Sequence, residues 1–194
     1  SCALSDNSIH TYDRETLRLV HSITKAHEGG ATTDLCHTSR LGNGSGDNMV
    51  VSSGMDGFVK IFDLRQNANP SGAGGILSQA AVQFQLPKKE QALSVSLGYG
   101  GTLAAVGSTK SQIHFFDLRG TSTGTGGNNS NVLGSYVDAH TDEVTKVRFQ
   151  RSNDGLTTTS LLVSGSEDGL ACIHDTSQSS EEAALKSVLN VQSP

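Results

Sequence analysis

An all-β fold made of a repeated four-stranded unit is what this sequence predicts, and three observations carry that reading. The segment Ser52-Ser53-Gly54-Met55-Asp56-Gly57-Phe58-Val59-Lys60-Ile61-Phe62-Asp63 aligns without a gap on Ser164-Gly165-Ser166-Glu167-Asp168-Gly169-Leu170-Ala171-Cys172-Ile173-His174-Asp175. Weaker copies run from Asp6 to Asp13 and from Gly107 to Asp117, so the closing aspartates at 13, 63, 117 and 175 are spaced by 50, 54 and 58 residues. Third, the apolar runs have strand length, and none before Glu181 has a helical period.

The strands follow in order within the second unit, where Ala31–His37, Asn48–Ser53, Phe58–Phe62 and Ile76–Gln85 read as four in succession. Leu93-Ser94-Val95-Ser96-Leu97 alternates strictly, as a strand with one buried face does. Phe58–Phe62 and Leu161–Val163 are apolar on both faces, which suits central strands packed between neighbouring sheets. Asp56-Gly57 and Asp168-Gly169 fall between strands, where glycine accepts positive φ and the carboxylate holds neighbouring N–H groups. Leu41–Asp47, Gln66–Gly75 and Gly120–Asn131 are Gly/Ser/Asn-rich and read as lengthened surface loops. Glu181–Leu189 admits a short helix, but its place in the repeat is a loop followed by a fourth strand.

These residues resemble WD repeats, whose units end in Trp-Asp and open with Gly-His. The resemblance implies a WD40-type β-propeller, here partial: three whole four-stranded blades (27–90, 91–139 and 140–194) and strands b to d of another (1–26). That is about half of a seven-bladed ring, an open arc expected to be marginally stable alone. The spacing exceeds the family period of about 40–45 residues, and the inserts account for the excess. Ser1 reads as the inside of a unit, so more of the protein is expected to precede it. In this family a His, a Ser or Thr, the turn Asp and the Trp form a network that locks each blade. The matching residues are His27, Ser52, Asp56 and Phe62 in one unit, and His140, Ser164, Asp168 and His174 in another. The chain has no tryptophan; Phe62 fills that place without a donor, whereas His174 retains a ring N–H. The third unit has Val106 and Lys110 where Ser and Asp would stand, so packing alone is expected to hold it. Leu161–Leu185, with Glu181-Glu182 and Ala184-Leu185, carries a closer resemblance to one member of the family.

The functional expectation is a non-catalytic scaffold that binds other proteins. His27 and His140 could be offered as bases or metal ligands, but a residue recurring at the same repeat position reads as architectural. The glycine clusters at 42–46 and 124–127 lack the Lys-Ser/Thr and helix start of a phosphate loop. Asn43-Gly44-Ser45 and Asn128-Asn129-Ser130 match the glycosylation sequon, which an intracellular protein leaves unmodified. An enzyme is the reading with least behind it, and no cofactor or metal is implied. A charge of −5 and a pI near 5.7, without a basic run, argue against nucleic acid as a partner. No apolar run is long enough to span a membrane. Cys2, Cys36 and Cys172 form no CxxC pair and suggest buried, reduced thiols in the cytoplasm, the nucleus or both.

One repeated surface signature has functional content. Phe62-Asp63-Leu64-Arg65 recurs as Phe116-Asp117-Leu118-Arg119. It resembles the aromatic-Asp-x-Arg box of WD-repeat proteins that dock on the adaptor of cullin-4 ubiquitin ligases as substrate receptors. That resemblance implies that Arg65 and Arg119, with Asp63 and Asp117, present a docking rim. The alternative is an ordinary strand end.

Overall fold

The computed structural model describes residues 1–37, 49–65, 75–118, 132–151 and 158–191. They form four sheets of four strands. The first is β1 (Cys2–Ala3), β2 (Ile9–Tyr12) and β3 (Leu19–Ile23), joined at its outer edge by β7 (Gly75–Leu77). The second runs β4 (Thr32–His37), β5 (Met49–Gly54), β6 (Phe58–Asp63) and β8 (Val82–Gln85). The third is β9 (Ala92–Gly98), β10 (Leu103–Ser108), β11 (Ile113–Asp117) and β12 (Val132–Tyr136). The fourth is β13 (Val144–Arg151), β14 (Thr158–Ser166), β15 (Leu170–Asp175) and β16 (Leu185–Asn190).

Each neighbouring pair of sheets encloses its own core, which is why β6 is apolar on both faces. Ile9, Ile23, Val50, Phe62 and Leu77 fill the first gap, and Val51, Val59, Phe84, Val95 and Phe116 the second. Ala105, Ile113, Phe115, Val147 and Leu162 fill the third. Of Leu161–Val163 on β14 only Leu162 enters a core and Val163 is 40% exposed, so this run is not packed between two sheets as expected. Close approach needs small residues: a Cβ on Gly98 would lie 2.8 Å from the Phe149 ring of the next sheet.

The tight turns between second and third strands repeat as faithfully as the aspartates. Positive φ occurs at Asn7, Gly57, Ser111 and Gly169, at the same separations of 50, 54 and 58 residues. In three of them the preceding aspartate accepts the backbone N–H two residues on: Ser8 to Asp6 at 3.0 Å, Phe58 to Asp56 at 3.1 Å and Leu170 to Asp168 at 2.9 Å.

Two strand expectations are corrected. Ile76–Gln85 is not one strand: only Val82–Gln85 pairs with β6, antiparallel, while Gly75–Leu77 pairs parallel with β3 of the preceding sheet. The reason is Leu77, which is 2% exposed and completes the core between the first two sheets, leaving the polar link Ser78-Gln79 to return the chain. At Glu181–Leu189 both alternatives are realised in part. A single turn, α1 (Glu181–Ala184), is capped by Ser180 Oγ, and β16 follows at once. The inserts at 41–47 and 120–131, the part of the third insert at 66–74, and both sequons lie outside the described residues.

Candidate functional site

In the second sheet's network, His27 is fully buried on the segment before β4. Its Nδ1 lies 2.8 Å from Asp56 Oδ1 in the β5–β6 turn, and its Nε2 lies 2.8 Å from Ser52 Oγ on β5. A carboxylate only accepts, so Nδ1–H donates to Asp56, and Nε2 of the neutral ring accepts from the serine hydroxyl. Burial holds His27 below the usual imidazole range despite Asp56. Phe62 lies nearby at 2% exposure and packs with Val50 and Leu64, without a polar part in the network.

The fourth sheet repeats this with one member more. His140 Nδ1 stands 3.0 Å from Asp168 Oδ2 and Nε2 2.8 Å from Ser164 Oγ, while His174 Nε2 reaches the same Ser164 Oγ at 3.3 Å. Since Ser164 gives its one proton to His140, it accepts from His174 Nε2–H. The His174 ring lies against Tyr136, centroids 5.1 Å apart, with its Nδ1 buried and unpartnered. Burial, with His140 second, pushes its pKa down to about 4. At Asp168 burial acts to raise the carboxyl, but the N–H groups of Thr141 and Leu170 and the His140 ring outweigh it and hold it low.

The expectation that packing alone holds the third sheet is wrong. Glu90, 3% exposed just before β9, accepts from Ser108 Oγ at 2.8 Å and from His114 Nε2 at 3.0 Å, while His114 Nδ1 meets Ser135 Oγ at 2.7 Å. Different residues at shifted positions build this lock. Its signal was present as His114 within the apolar run Ile113–Phe116, a polar group that burial obliges to find partners.

Ser–His–Asp bonding of this kind is also that of an acyl-transfer triad. Ser52 and Ser164, however, are 0% exposed, so neither hydroxyl can meet a substrate. Among the described residues no group of three or more His, Cys, Asp or Glu side chains is placed to hold a metal ion.

Of the paired surface motif, Phe62 and Phe116 are buried in separate cores and Leu64 is 5% exposed. Arg65 is exposed, but its guanidinium is forked on its own Asp63, Nε to Oδ1 at 2.9 Å and Nη2 to Oδ2 at 2.7 Å. That pairing holds the Asp63 carboxyl below its usual range. Asp117 closes β11; Arg119 lies outside the described residues.

A further cluster, not evident in the sequence, joins the inner strands of three sheets. Asp34 on β4 accepts from Ser94 Oγ on β9 at 2.6 Å and pairs with Arg148 on β13 through Nη1 at 2.8 Å and Nη2 at 3.0 Å. Lys146 adds a fourth group at 3.3 Å. Burial works to raise Asp34, and Arg148, Ser94 and Lys146 together bring it below the usual value.

The WD domain, G-beta repeat family matches residues 131–175, which take in the fourth sheet's network. That stretch reads as one WD repeat. Over 191 residues, 98% of the chain, it is 30% identical to an uncharacterized WD repeat-containing protein of Saccharomyces cerevisiae, of which they cover 42%. A stretch of 64 residues is 36% identical to DDB1- and CUL4-associated factor 11 homologs of Caenorhabditis briggsae and Caenorhabditis elegans, 33% of this chain and 10% of each relative. The WD40 repeats of RRP9 superpose with TM-score 0.57 at 15% identity over 96% of this chain and 42% of that one. U3-55K superposes with TM-score 0.56 at 16% identity over 83% and 39%. At those identities the likeness shows the fold, a WD40 propeller of which this chain has part. The chain spans less than half the length of each of these relatives.

Proposed function

We propose that this chain is part of a non-catalytic WD-repeat scaffold that binds other proteins through its blade rims, within the cytoplasm, the nucleus or both. The networks of His27, Ser52, Asp56 and Phe62 and of His140, Ser164, Asp168 and His174 act as blade locks. The observation that carries this reading is their burial: the only Ser–His–Asp constellations among the described residues are shut inside the blades, leaving rims and loops for partners. Of the three unpaired thiols, expected to be buried, Cys172 is buried, Cys36 half-buried and Cys2 exposed. Together they support a reducing compartment, and Cys36 is pushed up to about 12 by burial and by Asp34, which leaves it an unreactive thiol. The acidic balance speaks against nucleic acid as a partner, and no helix of the described residues is long and apolar enough to cross a membrane. The closer resemblance of Leu161–Leu185 is to WD repeat-containing protein 89.

The test is proximity labelling in cells with the full-length protein. A reproducible set of protein neighbours is expected, unchanged by Ser52→Ala in any variant that still folds. Turnover of a substrate that Ser52→Ala or Ser164→Ala abolishes would overturn the reading.

A second reading is substrate receptor of a cullin-4 ligase. Two facts favour it: the local likeness to a DDB1- and CUL4-associated factor 11 homolog and the exposed Arg65 beside Asp63. Against it stands the fork that already engages Arg65, a pair worth about 0–1 kcal/mol at a surface, which a docking partner would have to displace. Recovery of the ligase adaptor by wild type and its loss in Arg65→Ala/Arg119→Ala decides between the two.

A further inference from the structure

Apolar packing between the third and fourth sheets stops short of the outer edge. Counted from the aspartates that end β6 and β11, Val82 opposite Ile61 and Gly134 opposite Phe115 hold the same place in their sheets. Val82 packs onto the core between the second and third sheets. Gly134 fills nothing: a Cβ there would have no atom within 4 Å. What remains is a cavity of about 360 Å³, floored by Leu103, Phe115 and Tyr136 and walled by Thr176, Ser180 and Glu181.

Three properties of this cavity point to one kind of occupant. First, it borders β12, the outermost strand of its sheet, which among the described residues pairs with β11 alone, so its other edge offers backbone groups to an added strand. Just past the end of β12 the Glu181 carboxylate accepts from Val137 N–H at 2.7 Å and Asp138 N–H at 2.8 Å, which pins the strand against the fourth sheet. Second, the floor is aromatic and aliphatic, with Phe115 and Tyr136 edge-to-face at 4.8 Å between centroids. Third, the charge beside it is negative: Glu181 is in the wall, and Asp138, Asp175 and Glu182 adjoin lining residues. Among the described residues no lysine or arginine lines it, and the nearby Lys186 is 3.9 Å from Asp175. The Tyr136 hydroxyl is raised first by burial and then by Glu181, Tyr99 and Asp175.

We propose that this cavity is a binding site for an extended segment of a partner protein, which adds to the open edge of β12 and seats one apolar side chain, flanked by basic residues, over Phe115 and Tyr136. The proposal deepens the scaffold reading and rests on it. The probe is the peptide acetyl-Lys-Thr-Leu-Thr-Arg-amide, titrated into the isotopically labelled full-length protein and followed by amide chemical shifts. Shifts are expected at Gly134, Ser135, Tyr136 and Ser180. Replacing the leucine of the peptide by alanine should weaken binding about ten- to fiftyfold, the loss of three buried carbons. An acidic version with Glu at both ends should bind more weakly still. In the protein, Gly134→Leu should fill the cavity and abolish the shifts, and the exposed Glu182→Lys should weaken the basic peptide severalfold. Absence of shifts at millimolar leucine peptide overturns the proposal, as does equal binding of the leucine and alanine peptides, a comparison on wild type that holds even if Gly134→Leu fails to fold. Should a folded Gly134→Leu protein retain its cellular neighbours while the peptides fail, the scaffold stands and the cavity alone falls.

Discussion

Alanine at Ser164 should cost more than alanine at Ser52, although both serines are fully buried and both accept the same small truncation. Ser164 Oγ serves two rings, donating to His140 Nε2 at 2.8 Å and accepting from His174 Nε2 at 3.3 Å. Ser52 Oγ faces His27 Nε2 at 2.8 Å, with the apolar ring of Phe62 where His174 would stand. An orphaned buried donor or acceptor costs about 1–3 kcal/mol. Ser164→Ala orphans two and should lose about 2–6 kcal/mol, Ser52→Ala about 1–3 kcal/mol. Against a total of about 5–15 kcal/mol the first loss is plain in equilibrium urea unfolding, read as a shift in midpoint at unchanged slope. Ser164→Ala/His174→Phe should then recover part of the loss, because one orphan is removed with its partner. If Ser164→Ala proves no worse than Ser52→Ala, or the double variant is worse than the single, the chain of bonds through Ser164 is wrong.

Three other outcomes are expected. His174 has its folded pKa depressed to about 4 from an ordinary value of 6.5, so the unfolded chain binds the extra proton first. The His174 contribution is therefore full above pH 6.5 and falls by about 1.4 kcal/mol per pH unit as pH drops from there towards 4, so His174→Phe should make the slope of unfolding free energy across that range shallower by about that amount, leaving the part that His27 contributes. Gly57 has φ of +79° and would bring a Cβ to 2.6 Å from Glu90 O, so Gly57→Ala should lose roughly 2 kcal/mol or more by urea midpoint. Leu77→Ala should cost about 2–5 kcal/mol and raise amide exchange along β3, since Leu77 anchors the parallel strand that covers that edge; unchanged exchange there would mean that β7 is not held by its leucine.

What the sequence revealed and what it hid divide along a physical line. Features set by local chemistry were legible: the Asp-Gly turns, the apolar faces of β6 and the residues of both His–Ser–Asp sets. The alternation of β9 does not mark a single buried face, because Ser94 and Ser96 are buried as Val95 is and find partners in Asp34 and the Phe149 N–H. Features set by which segments meet in space were not. Gly75–Leu77 is an ordinary short apolar run, and nothing local distinguishes pairing with β6 from pairing with β3. The Asp34–Arg148 pair joins residues 114 apart, and Glu90 locks the third sheet from a position the repeat does not reserve for a carboxylate. The cavity beside Gly134 was invisible for the same reason, since a glycine in a strand signals a void only once its neighbour's valine is known to fill the matching gap.

The third blade also shows what a blade lock requires. At the place three residues before the aspartate that closes the third strand, Lys60, His114 and Cys172 differ in charge, shape and size. Yet Lys60 Nζ donates to Ala26 O at 2.8 Å, His114 Nε2 to Glu90 at 3.0 Å and Cys172 Sγ to Ala139 O at 3.6 Å. Each thus ties the third strand of its sheet to the segment that leads into the first strand. A donor at that height is what the geometry asks for, and buried carbonyl or carboxylate oxygens would otherwise go unpaired. Residue type is then free to drift so long as a proton points the right way. A blade without the family's residues therefore still ties its third strand to the segment before its first, and the absence of tryptophan from the whole chain is compatible with all four sheets forming.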